Sequence, residues 1–148
     1  GPSQFRLGRS MDIVLIVGRV LFALLFINSG LAHFTQRDAM SGYAQFKKVP
    51  AAKLMVLLTG FMILLGGLFV AFGIYADLGA LLLAIFLIPT AFMMHNFWTI
   101  EDAQAKQSEM INFFKNLALA GAALLIFALV ASGADFGPSV TVDHFFDM

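Results

Sequence analysis

A chain of 148 residues that is 60% hydrophobic and 12% charged, with a mean hydropathy of +0.88, excludes a soluble globular domain and points to the membrane. Its formal charge is 0, and −2 once Arg6 and Arg9 are set aside, which argues against a nucleic-acid partner. No cysteine is present, so thiol–disulfide chemistry and thiolate metal ligation are excluded too.

The opening Gly1-Pro2-Ser3 reads as a protease-cleavage scar and Met11 as the natural start, so residues 1–10 are set aside as an expression scar or tag remnant. A first apolar span covers about residues 13–34, too long and too interrupted for the core of a signal peptide. Arg19 sits one to two turns inside it, where a charge costs about 2.5–3.5 kcal/mol on insertion scales. Arg19, Phe26 and His33 are spaced by sevens and so share one stripe, while Asn28, Ser29 and Gly30 add polarity and a place for close helix approach. Arg19 can snorkel to its nearer interface, pair with Asp12 or Asp77, or face the bundle interior. Intramembrane charges usually face inward, so the expectation is an inward guanidinium bonded to helix carbonyls, Thr or Asn side chains, water or a ligand.

Residues 35–49 are a polar connection in which Met40, Tyr43 and Phe46 recur at helical spacing, the pattern of a short amphipathic helix on the membrane surface with Tyr43 at headgroup level. Pro50 suits the first turn of the next helix. The second span, about 52–73, is thinned by Gly60, Gly66, Gly67 and Gly73, which favours tight packing. A short connection leads to the third span, about 78–98, kinked at Pro89 and ending Met94-His95-Asn96-Phe97-Trp98. Thr99 and Asp102 then stand at capping-box spacing. The fourth span opens on Asn112, Lys115 and Asn116, which share one helix face, and runs apolar to about Ala131. Residues 134–148 form an acidic tail broken by Gly137-Pro138, expected to be loosely held.

These elements predict an all-α fold: a single four-span transmembrane domain over residues 11–133, built as an integral membrane four-helix bundle with a short interfacial helix between spans one and two. A gapless echo between residues 18–27 and 79–88, each followed by a histidine, suggests two related helical hairpins. Because spans alternate direction, one side collects His33, Tyr43, Lys53, His95, Asn96, Trp98, Asn112, Lys115 and Asn116. Arg37, Lys47, Lys48, Lys53 and Lys106 also fall there, so this side is expected to face the cytoplasm with both termini outside.

Each of these residues also has a plain role. Trp98 and Tyr43 suit an aromatic belt, and Lys53 and Lys115 suit interface anchoring. His33 and His95 could be axial ligands of a haem, but two unlinked histidines are a weak signal, and a metal needs more ligands than the pair offers. The only carboxylates near them in sequence are Asp38, Glu101, Asp102 and Glu109. The amides serve equally as donors to a carbonyl or as interhelical glue.

The run Phe-Phe-Lys-Asn-Leu-Ala-Leu-Ala-Gly at 113–121, His95-Asn96-Phe97-Trp98, Gly66-Gly67 with Gly73, and Gly18-Arg19 followed by Asn28-Ser29-Gly30 resemble the DoxX family of small bacterial membrane proteins. The likeness covers residues 11 to about 132. It implies a four-helix bundle in the bacterial inner membrane and association with redox systems. Some relatives belong to thiosulfate:quinone oxidoreductases, and others to a complex with superoxide dismutase and a sulfurtransferase. Relatives often carry a glutamate shortly before the paired glycines, where this chain has Ile63.

Together these readings predict a redox-associated membrane subunit whose polar pocket accepts a quinone-like headgroup. Its candidate ligand-binding residues are Arg19, Asn28, His33, His95, Asn96, Trp98, Asn112, Lys115 and Asn116. The expected partners are the lipid bilayer, a soluble redox enzyme and further copies of the chain. Without a bound cofactor or partner the chain has no means of moving electrons. The alternatives are a scaffold that docks a soluble enzyme through the surface helix and a small-anion or lipid carrier resting on Arg19 and Lys115.

Overall fold

A computed structural model describes residues 8–139 together with Phe145 and Phe146; residues 1–7 of the expected scar or tag remnant and the remainder of the tail lie outside the described residues. The chain forms α1 (Arg9–Thr35), α2 (Arg37–Phe46), α3 (Ala52–Phe72), α4 (Ala76–Met94), a short 3₁₀ turn (Phe97–Thr99) and α5 (Ala103–Ala131). Helices α1, α3, α4 and α5 are each long and apolar enough to cross a bilayer, and the polar α2 links the first two of them. Exposed Leu, Ile, Val and Phe side chains cover their outer faces, as lipid requires.

Interhelical packing follows the small residues. α1 buries Arg19, Ala23, Phe26, Gly30 and His33, the stripe set by the seven-residue spacing. That stripe lies on α3 where Gly60 and Gly67 remove side chains. A Cβ on Gly60 would stand 2.5 Å from the His33 Cβ, and one on Gly67 would stand 3.0 Å from the Ile27 side chain. Gly66 turns instead toward α4, where a Cβ would meet the Gly79 carbonyl at 2.9 Å. α4 and α5 close on each other through buried alanines, among them Ala80, Ala84, Ala120 and Ala123. Phe26, Ile63, Val70, Leu83 and Leu87 fill the centre. Ile63 is fully buried in this apolar cluster.

Three connections differ from expectation. Pro50 lies in the turn before α3, because Ala51 takes a left-handed conformation (φ 47°) and itself precedes the helix. Asp102, rather than Thr99, caps α5: its carboxylate accepts from the Ala105 amide at 2.9 Å, while the Thr99 hydroxyl donates to the Asn96 carbonyl. The described tail residues, 134–139 with Phe145 and Phe146, are held rather than loose. They lie over the end of the bundle where α1 starts and α5 ends, and two buried charged residues hold them there. Arg19 donates from Nη1 to the Phe136 and Pro138 carbonyls at 3.1 and 2.6 Å, and from Nη2 to the Ala71 carbonyl at 2.9 Å. Its guanidinium also lies 5.4 Å from the centre of the Phe136 ring. Asp77, fully buried at the start of α4, accepts from the Phe145 and Phe146 amides at 2.7 and 2.6 Å, and from the Leu78 amide at 2.8 Å.

Candidate functional site

The opposite end of the bundle holds a cavity of about 650 Å³, roofed by α2 and walled by α1, α3 and α4. Met40, Tyr43 and Ala44 of α2 face it, together with Met55, Val56, Thr59 and Met62 of α3. Ile85, Phe86, Pro89, Thr90, Met93 and Met94 of α4 complete the wall, and Ser29 and His33 of α1 close its inner side. Five methionines give it a soft, adaptable lining. Several lining residues, Tyr43, Met55, Ile85 and Met93 among them, are also exposed on the outer surface, so the cavity opens sideways toward lipid.

His33 is the buried polar group of this cavity. Its Nδ1 lies 2.7 Å from the Ser29 carbonyl. A carbonyl can only accept, so Nδ1 carries the proton in this bond, and in the neutral ring Nε2 is left as an acceptor. The ring stands edge-on to Phe86, with centroids 6.0 Å apart. Pro89 has no amide to offer the Ile85 carbonyl one turn earlier, so the cavity lies where the α4 ladder loses a donor. The Thr59 hydroxyl donates back to the Met55 carbonyl at 2.6 Å and keeps its acceptor lone pairs.

The remaining sequence candidates do not converge on this cavity. A second polar group forms where the 3₁₀ turn and α5 meet α2. His95 Nδ1 lies 3.2 Å from Glu109 Oε2, Asn112 donates to Glu109 Oε1 at 3.1 Å, and Lys47 donates to Asn96 Oδ1 at 2.8 Å. Glu109 and Lys47 are its organising charges, and neither was among the candidates. Tyr43 stands between the two groups: burial first, then the nearby Glu109 charge, pushes its phenol above the ordinary tyrosine range, so it stays an O–H donor at neutral pH. Trp98 is half-exposed and packs with Phe92, Phe97 and Phe113, as a belt aromatic does. Arg19 is at the far end with the tail. Asn28 and Lys115 are exposed on outer helix faces, and Asn116 is half-buried without a hydrogen bond among the described residues. His33 lines the cavity, whereas His95 pairs with Glu109 in the second group. Among the described residues no three His, Cys, Asp or Glu side chains gather closely enough to hold a metal ion.

Asn28 is two residues past Phe26, which carries it some 200° around α1 and off the buried stripe. The cavity lining left no signal to find, since Met, Ile and Phe facing a cavity are chemically the same as Met, Ile and Phe facing lipid. Glu109 could have been found from its place six residues inside α5, where a lone acid needs a partner.

The chain is 34% identical over 124 residues to inner membrane protein YqjF of Escherichia coli (strain K12), covering 83% of this chain and 88% of the relative. It is 27% identical over 130 residues to inner membrane protein YphA of the same organism, covering 88% and 91%. No solved structure matches it. The DoxX family model matches residues 14–96, a segment that contains every wall of the cavity and stops before the polar start of α5. With that match over more than half its length and relatives aligned along most of the rest, this four-span protein belongs to the DoxX family.

Proposed function

We propose that the protein is an inner-membrane subunit of a redox system whose cavity takes a bilayer-dissolved, quinone-like molecule, its head at His33 and its tail leaving through the lateral opening. The observation that carries this reading is a methionine- and phenylalanine-lined cavity, open to lipid, with one buried imidazole on its inner wall. Apolar walls with a few placed polar groups are the general form of a small-molecule site. The acceptor set, His33 Nε2, the Thr59 oxygen and the Ile85 carbonyl, matches the two hydroxyls of a quinol, and the Tyr43 and Thr90 hydroxyls match a quinone carbonyl. The basic residues Arg37, Lys47, Lys48 and Lys53 at this end support a cytoplasmic orientation, with both termini on the other side. The relatives named as inner membrane proteins support placement in that membrane.

Organic extraction of the purified protein, followed by titration with a ubiquinone or menaquinone analogue and its reduced form, tests the reading. Saturable binding is expected, tighter for the quinol, and His33→Leu should weaken it about tenfold, the loss expected for one buried hydrogen bond. Absence of copurified quinone together with absence of saturable binding would overturn it.

A further inference from the structure

The chain has no cysteine, so its only oxidisable sulfur is in its eight methionines, and five of them line the cavity. Each of the five has a hydroxyl residue of the same lining one turn away on its own helix. Met40 stands three residues before Tyr43, Met55 four before and Met62 three after Thr59, and Met93 and Met94 three and four after Thr90. Side chains at these spacings are neighbours on a helix. Met11 and Met110, the other methionines among the described residues, have no Ser, Thr or Tyr at these positions.

The three hydroxyls differ in what they do with their protons. Thr59 donates to the Met55 carbonyl, whereas Tyr43 and Thr90 have no hydrogen-bond acceptor among the described residues. Long helical side chains lean toward the N-terminus, which carries the Met93 thioether back over Thr90 and the Tyr43 ring back over Met40. Met93 is exposed where the cavity opens to lipid, and Met40 is half-buried beneath α2.

We propose that these thioethers are a site of reversible sulfoxidation by a hydroperoxide dissolved in the bilayer, with Thr90 the proton donor at Met93 and Tyr43 the donor at Met40. The sulfur lone pair attacks the terminal oxygen of R–O–OH, and the S–O bond forms as the O–O bond breaks. Sulfur gives up two electrons and the peroxide takes them. The neighbouring hydroxyl passes its proton to the departing alkoxide, which leaves as the alcohol R–OH, and recovers one from the new S–OH group, leaving the sulfoxide. In hydrocarbon the charges of S⁺–OH and RO⁻ are costly to separate, so a hydroxyl within reach of both oxygens lowers the barrier. The sulfoxide oxygen then accepts from that same hydroxyl, which holds the product inside the fold. The modification turns an apolar wall polar, and methionine sulfoxide reductases reverse it. It does not depend on what the cavity binds.

The test is peptide mapping by mass spectrometry after the protein, in nanodiscs of phosphatidylethanolamine and phosphatidylglycerol, is exposed to cumene hydroperoxide. Met55 is the reference, because it lines the same cavity and is as exposed as Met93, 37% against 38%, while the hydroxyl beside it is already committed to a carbonyl. Met93 should be oxidised about tenfold faster than Met55, a small part of what a positioned proton donor can give. Thr90→Val should bring Met93 down to the Met55 rate and leave Met40 unchanged, and Thr90→Ser should keep Met93 fast. Tyr43→Phe should slow Met40 alone. The wild-type ratio of Met93 to Met55 needs no variant, so the proposal stays testable even where a substitution disturbs folding. Equal rates at Met93 and Met55, or a Met93 rate that Thr90→Val leaves unchanged, would each overturn it.

Discussion

Arg19 shows how a charge is made tolerable inside an apolar span. Its three hydrogen bonds all go to main-chain carbonyls, one from the end of α3 and two from the tail. Its Nε alone is buried without a partner. Replacing it with leucine strands those carbonyls at about 1–3 kcal/mol for each one that stays buried. Arg19→Leu is therefore expected to lower the melting temperature in detergent. Arg19→Lys should lower it less, because an ammonium still donates to two or three carbonyls and removes the orphaned Nε–H, although it lacks the guanidinium fork. A leucine variant at least as stable as wild type would refute this account. The inward orientation of Arg19 was legible from its place on the Phe26–His33 stripe. Its partners were not, because a main-chain carbonyl is common to every residue and leaves no trace in sequence.

Among the elements, α3 is the one that the others are fitted to. Its two glycine faces differ in register: Gly60 and Gly67, seven apart, receive α1, and Gly66 receives α4. At the α3–α4 crossing a Cβ on Gly79 would stand 2.7 Å from the Phe69 Cβ and 2.8 Å from the Gly66 carbonyl, so neither helix can yield without moving its backbone. Gly66→Val or Gly79→Val is expected to destabilise by about 1–3 kcal/mol or to prevent folding. Gly121→Ala on α5, where an added Cβ meets nothing within 4 Å, should cost nothing. Thermal unfolding of these variants in one detergent decides it, and tolerance of valine at position 79 would sink the packing scheme. The glycine signal in α3 was readable directly, because small residues in a membrane helix have few other uses. The echo between residues 18–27 and 79–88 was less informative: Gly18 faces open space, whereas Gly79 is wedged against α3. α2 was legible as an amphipathic interfacial helix but not as a roof, since nothing in its own periodicity says what its apolar face covers.

At the scale of the whole molecule the two ends of the bundle are built differently. One end is open to lipid through the cavity beneath α2, and the other is covered by described residues that follow α5, held by Arg19 and Asp77. Deleting the chain from residue 134 onward is expected to destabilise the protein and to make Arg19→Leu cheap, because the two changes remove the same hydrogen bonds. A double-mutant cycle should show strong coupling between them, and simple additivity would mean that the tail and Arg19 act separately. The docked tail also has a consequence for how the protein is made. Arg19 enters the bilayer with the first span, but the Phe136 carbonyl that completes it lies 117 residues further along. At ~5–20 residues per second that is roughly 6–25 s of synthesis. Throughout that interval the nascent chain carries a guanidinium with most of its acceptors still unmade. Until residues 136–138 are made the first helix keeps an open charge, and any chain that terminates before them carries it for good.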